Sequence, residues 1–455
     1  IYARVEKKGR KTKDILEENI EHMVLKLQGP HFMRWGNFDE KFTRPVENVL
    51  AIYGDEVLDF KIIDKKAVNK TKGHRFSKIS EVQITNPLNY PEELKKANVY
   101  ADIAERRELI VSSAKKMAAD NGLKIEFDKL HDLLDEIVYI TEYPIPVLCE
   151  FNEKYLDIPD IVSTTEMSKN QRYFPLYDIN TGKLSNRFIT MANFVGTDEE
   201  SINNIKAGNQ RVVSARLEDG IFFYNDDAKT SLISKVENLK GMTFQRDLGT
   251  LFDKTERIIN ISKYLCEESG EQTDVLRAAK LCKADLSTKL VFEFTELQGF
   301  IGENYALNSG EKENVAEAIK EHYFPLNAGS ELPASIEGKI VSIADKIDTI
   351  SSVFLTTQKD KKKKRPTGSN DPLGVRRAAI GILRIIIESG LKININNLVD
   401  FSVNKIAKDF NLDVENSLKT ELLEFIIDRL FVMFEEDFDI EILEALRKNS
   451  PLSNF

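Results

Sequence analysis

The apolar residues of this chain change their spacing near residue 195, and that change limits what each half can fold into. Before it, short β-branched clusters alternate with polar turns. FTRPVENVLAIYGDEVLDFKII predicts two strands joined through YGDE. EIVYITEYPIPVLCEF reads as one or two buried strands broken at Pro144 and Pro146, residues that suit sheet edges or bends. RYFPLYDINTGKLSNRFITMANFV predicts a hairpin around Asp-x-Asn-x-Gly. From about Gly208 onward the apolar residues recur at helical steps. Examples are Leu248, Leu251 and Phe252, then Leu281, Leu286 and Val291 with Asp285 set among them, then Ile340, Ile343, Ala344, Ile347 and Ile350. RRAAIGILRIIIESG predicts an amphipathic helix ending at Gly390, and ELLEFIIDRLFVMF with DIEILEALRK a final helix pair. The expected class is α+β and multidomain, with mixed α/β structure over 1–195 and helices over 196–358. A basic linker rich in Lys, Pro and Gly over 359–375 is expected to lead into a helical region over 376–455.

Length and charge narrow the function. A chain of 455 residues has room for two to four domains. With 42% hydrophobic and 30% charged residues it has the balance of a soluble globular protein, and it carries no uninterrupted apolar run of membrane-spanning length. Cys149, Cys266 and Cys282 are too few and scattered for a disulfide framework, so a reducing, cytoplasmic setting is expected. Because the chain opens at Ile1 within a continuous pattern, a fragment of a longer protein is expected. The net charge of −10 opposes non-specific nucleic-acid binding, but it is unevenly spread. IYARVEKKGRKTK, Lys61–Lys78 and KDKKKKRP are basic, whereas ELLEFIIDRLFVMFEEDFDIEILE carries nine acids and one base. Phosphate attraction is screened within about 10 Å, so local basic segments on an acidic protein suit one specific RNA. No membrane or DNA partner is expected.

RAAKLCKADLSTKL and EGKIVSIADKIDTI each set an Asp, Asp285 or Asp345, in a helix-like apolar pattern. The pair suggests a metal-dependent phosphohydrolase of the HD class, which needs a His-Asp pair, a neighbouring His and a later Asp. Asp285 is instead preceded by Ala284, and of the five histidines only His322 lies in the helical middle region. Asp285, His322 and Asp345 could converge, but Lys283 and Lys346 stand ready to supply counter-charge in place of a metal. The expectation is a degenerate site with no metal, its Asp residues bonded to backbone or Lys. The alternative is a metal-dependent hydrolase acting on nucleotides or RNA ends. The chain has no Walker loop, no H-E-x-x-H and no G-x-S-x-G, which moves the weight from chemistry to binding. Candidate binding segments pair cations with aromatics. GPHFMRWGN holds Arg34 and Trp35, and NQRYFPLYD holds Arg172, Tyr173 and Phe174. Core aromatics beside a satisfied Arg would give the same pattern. KGHRF, with Lys72, His74 and Arg75 in a polar setting, is the stronger surface candidate.

Taken in order, MRWGN, FTRPVENVLAIYGDEV, TKGHRF, YPIPVLCEF, QRYFPLYD, GKLSNRFITMANF, AGNQRVVSARLEDGIFFYNDD, FQRDLGTLFDKTERI, KADLSTKLVFEFTELQG, ELPASIEGKIVSIADKIDT and PTGSNDPLGVRRAAIGILRII resemble the β subunit of the bacterial two-subunit glycyl-tRNA synthetase. The resemblance implies a chain without adenylation chemistry, working with an α subunit that uses glycine, ATP and Mg. It also implies an assembly of two α and two β chains and recognition of tRNA-Gly, with no cofactor held here. It further implies a region similar to the B3/B4 domain of phenylalanyl-tRNA synthetase, a helical HD-like domain and the first helices of an anticodon-binding domain. Carried onto this sequence, Arg34, Lys72, His74, Arg75, Arg172, Arg376 and Arg377 become expected contacts to tRNA or subunit. Asp285, His322 and Asp345 become positions of a degenerate metal site.

Overall fold

The computed structural model describes residues 9–449, apart from positions 30, 197, 246, 270–273, 328, 359–370, 372, 373 and 436. The basic run Lys361–Arg365 therefore lies outside the described residues. The fold is α+β, with strands up to Asn193 and helices from Glu199 onward. Two compact units emerge from the packing: residues 1–157 with 166–217, and residues 158–165 with 218–455. The division falls inside the helix Glu199–Asp227, so packing units and element types change at different places.

In the first unit, a four-stranded antiparallel sheet runs Leu123–Lys124, Phe174–Asp178, Leu184–Asn193, Pro144–Glu150 in spatial order. Phe174–Asp178 and Leu184–Asn193 form the expected hairpin. Pro144–Glu150 pairs on one side only, with Asn193 opposite Pro144, so both prolines sit on an edge where no second neighbour needs their missing N–H. The segment before them corrects the sequence expectation: EIVYI belongs to the helix His131–Ile140, not to a strand. Leu133, Leu134, Ile137 and Val138 recur at helical steps and bury one face against Ile110, Ala114, Phe174 and Ile189. Smaller ribbons precede this sheet. Ile52–Tyr53 pairs with Glu56–Val57 across the expected YGDE turn, and Lys70–Lys72 pairs with Glu81–Gln83.

The second unit is built around the helix Ile336–Thr357, which is buried along most of its length. Ser335 opens it, its Oγ accepting from the Gly338 N–H. Packed on it are the helices Leu251–Ser269, Val275–Leu281, Glu313–Glu321, Val375–Ser389, Ile395–Asp409 and Leu418–Phe434. Val375–Ser389 ends at Gly390 with φ of 63°, a left-handed C-terminal residue that glycine adopts without steric cost. The pattern around Asp285 is not one helix. It breaks into Val275–Leu281, a 3-10 turn Ala284–Ser287 and Lys289–Glu293, because Thr288 turns extended and caps the last piece by accepting from the Val291 N–H. No helix among the described residues is long and apolar enough to cross a membrane. All three cysteines are free and buried.

Candidate functional site

The helical spacing of two charged pairs creates the most unusual feature of the second unit. Lys254 and Arg257 stand three residues apart on Leu251–Ser269; Asp345 and Asp348 stand three apart on Ile336–Thr357. Residues at that spacing share a helix face, so packing two such faces together brings four charges into one buried place. Lys254 Nζ lies 2.9 Å from Asp345 Oδ1 and 3.0 Å from Asp348 Oδ2. Arg257 grips Asp348 with Nε at 2.6 Å from Oδ1 and Nη2 at 3.2 Å from Oδ2. Its guanidinium lies 5.7 Å from the centre of the Phe244 ring and 5.5 Å from that of Phe410. Both ends of this bridge are almost wholly out of solvent, Arg257 at 1% exposure and Asp348 at 0%.

His322 and Asp345 meet here through an ammonium group, whose charge also acts on Asp285. Lys283 Nζ is 2.8 Å from Asp345 Oδ2 and 2.8 Å from His322 Nε2, and it lies 4.3 Å from the centre of the Tyr323 ring. His322 Nδ1 is 2.6 Å from the Ile319 carbonyl oxygen, which can only accept. That nitrogen therefore carries the proton and Nε2 takes the bond from Lys283. Burial, with the Lys283 charge adjacent, holds the imidazole well below its ordinary pKa and keeps it neutral. Burial pushes the Asp345 carboxyl up, but Lys254 and Lys283 together outweigh it and hold the group well below the usual carboxylate range. Asp285 differs. Its Oδ2 accepts from the Gly299 N–H at 2.6 Å, and burial raises its carboxyl to about 6.

The donor set does not fit a divalent metal. The His322 and Asp345 atoms that would ligate it are engaged by Lys283, and the cluster already sets three cations, Lys254, Arg257 and Lys283, against the carboxylates of Asp345 and Asp348. A further double positive charge would enter a site with no spare negative charge. No group of three or more His, Cys, Asp or Glu residues among the described residues could hold a metal. Lys346 plays a different part from the counter-charge expected of it. Its Nζ donates to the Phe324 carbonyl at 2.7 Å, to Ser342 Oγ at 2.7 Å and to the His322 carbonyl at 3.2 Å. Burial lowers its pKa to about 7.

The residues expected at the surface of the first unit divide. Lys72 is exposed and pairs with Glu47 at 2.6 Å, and Arg75 is exposed with its guanidinium 5.5 Å from the Phe76 ring centre. His74 corrects the surface reading of KGHRF: at 1% exposure it is a core residue. Its Nε2 lies 3.1 Å from Asn193 Oδ1, and its Nδ1 accepts from the Phe76 N–H at 3.2 Å. Arg172 is bound to Glu136 at 2.6 Å, while Tyr173 and Phe174 are core aromatics. Arg34 lies 3.6 Å from Asp39 on the surface. On Val375–Ser389, Arg377 is exposed and Arg376 half-buried, with the Arg376 N–H donating to Asp371 Oδ2. Sequence reasoning passed over Lys254, Arg257 and Asp348. Two charged pairs at three-residue spacing within otherwise apolar helix faces were the available signal.

Fold and site together define an α+β chain with an ion-paired helical core and cationic segments on its surface. The chain belongs to the glycyl-tRNA synthetase beta subunit family, whose sequence profile matches residues 1–448. It is 40% identical over 447 residues to the glycine–tRNA ligase beta subunit of Stutzerimonas stutzeri strain A1501, covering 97% of this chain and 63% of that protein. It is 38% identical over 448 residues to the one from Ectopseudomonas mendocina strain ymp, covering 98% and 63%. It is 40% identical over 448 residues to the one from Pseudomonas entomophila strain L48, covering 97% and 63%. The chain thus spans about 63% of the length of these curated relatives.

Proposed function

We propose that this chain is the RNA-recognising body of a glycine–tRNA ligase β subunit. It holds tRNA-Gly so that an α subunit, using ATP and Mg, can attach glycine, in a cytoplasmic assembly of two α and two β chains. Family membership along residues 1–448 is the observation that carries this reading. Within it, residues 1–195 serve as a B3/B4-like region, residues 196–358 as an HD-like frame kept as scaffold, and residues 376–455 as a helical region that includes the start of an anticodon-binding domain. Arg34, Lys72, Arg75, Arg172, Arg376 and Arg377 are the proposed contacts to tRNA or subunit, with His74 positioning its neighbours rather than touching RNA. The occupation of His322 and Asp345 by Lys283 favours a scaffold over hydrolysis of nucleotides or RNA ends.

Reconstitution tests it. The complete β polypeptide added to α should charge tRNA-Gly, and α alone should not. Charging by α alone at the rate of the assembly would overturn the proposal. Elemental analysis should find sub-stoichiometric divalent metal; a full equivalent together with phosphoester cleavage would restore the hydrolase.

A further inference from the structure

The loop that follows the strand Lys70–Lys72 is held rigidly from below and presents charge and an aromatic ring above. A Cβ on Gly73 would collide with the Ile79 carbonyl oxygen and lie 2.8 Å from Ala97 Cβ, so the backbone packs closer than any side chain allows. The His74 N–H donates to the Ala97 carbonyl at 3.0 Å and the Ser77 N–H to the His74 carbonyl at 2.8 Å. Ser77 Oγ reaches Asn98 Oδ1 at 3.0 Å. The buried His74 ring bonds the Phe76 N–H, and Asn193 Oδ1, which it meets on its other side, also accepts from the Glu142 and Tyr143 N–H groups.

This frame presents an exposed ring flanked by cations. The Phe76 side chain is 52% exposed, propped against Phe194 at 5.3 Å between ring centres. Arg75 and Lys78, on either side of it in sequence, are exposed and have no carboxylate partner among the described residues, although the chain is net acidic. Neighbouring Lys70 and Lys72 do have such partners, Glu81 and Glu47.

We propose that the loop Gly73–Lys78 is a stacking site for an unpaired RNA base, with Phe76 receiving the base and Arg75 and Lys78 receiving the flanking phosphates. Unpaired bases stack on exposed aromatic rings, and cations beside them hold the backbone. An apolar protein partner would be met by a ring without uncompensated charge around it, so the two lone cations favour a polyanion. The inference rests on the RNA-recognition reading above and adds to it the kind of contact made.

The test compares Phe76→Ala, Phe76→Leu and Phe76→Tyr in the complete β subunit assembled with α, titrated with fluorescently labelled tRNA-Gly transcript over a range of salt. Stacking of one base predicts a loss of about 5- to 150-fold for Phe76→Ala. Phe76→Leu, which keeps apolar packing on Phe194, should lose most of that, and Phe76→Tyr little. The slope of affinity against salt should not change, because every phosphate keeps its cation. Equal affinity of wild type and Phe76→Ala would overturn the inference while leaving RNA recognition standing. Failure of the wild type to bind the transcript would overturn both. Loss of α-subunit association in Phe76→Ala, with RNA affinity intact, would assign the loop to a protein interface and overturn the stacking site.

Discussion

The charge cluster of the helical unit and the loop Gly73–Lys78 of the strand-rich unit both set cations beside aromatic rings, but they treat charge in opposite ways. Around Asp345 and Asp348, Lys254, Arg257 and Lys283 each have a carboxylate within 3.0 Å, and all three are buried. Around Phe76 two cations, Arg75 and Lys78, have none among the described residues and stand in solvent. Burial explains the contrast. A charge taken out of water costs several kcal/mol unless it is paired, so the interior tolerates only a closed set. A surface cation costs nothing to leave unpaired and stays available to a ligand. The same residue types therefore close on one another in the core and stay open to a ligand at the surface.

The largest expected effect breaks the closed set. Asp348→Ala removes the partner of Arg257 and one partner of Lys254 in the core, and should cost about 3–5 kcal/mol of stability. Urea unfolding measures it, and a loss near zero would mean that the buried cations find other partners. Next in size, Lys72→Glu with Arg75→Glu should weaken tRNA binding and lower the magnitude of its salt slope by about 0.9 for each phosphate left without its cation. An unchanged slope would remove both residues from the RNA surface.

A smaller effect sharpens the comparison through pH. His322 has a folded pKa below its unfolded value near 6.5, so on acidification the unfolded chain takes the proton first. Stability from this group is full above about pH 6.5 and falls as the pH drops below it, by at most about 1.4 kcal/mol per pH unit. Asp345 works in the same direction at lower pH. Its contribution is present above about pH 4 and is lost as the pH falls through its depressed folded pKa. His322→Gln, which offers Lys283 an acceptor that does not titrate, should flatten the loss between about pH 6.5 and 5; an equal loss would place the titrating group elsewhere. The smallest effect is Glu47→Gln, which frees Lys72. It should leave the unfolding midpoint unchanged within error and slightly raise tRNA affinity.

Legibility followed the period of the apolar residues. The helix ending at Gly390, the final pair and the hairpin around Asp178 were readable because one face of each is apolar at a regular step. EIVYITEYPIPVLCEF was misread because its first half is equally β-branched and helical in spacing, and the burial of Leu133 and Ile137 against the sheet decides for helix. KGHRF misled at one residue. A polar neighbourhood in sequence says nothing of which ring nitrogen will find Asn193, a partner 119 residues away.

From the residues alone came the α+β class, the family and the missing His before Asp285, because these rest on local order and period. The tertiary structure alone decided that Lys283 fills the place between His322 and Asp345, that Arg257 closes on Asp348, and that His74 turns inward while Phe76 turns out. Partners such as Arg257 and Asp348 stand 91 residues apart, and their pairing energy exists only once packing has removed the water between them.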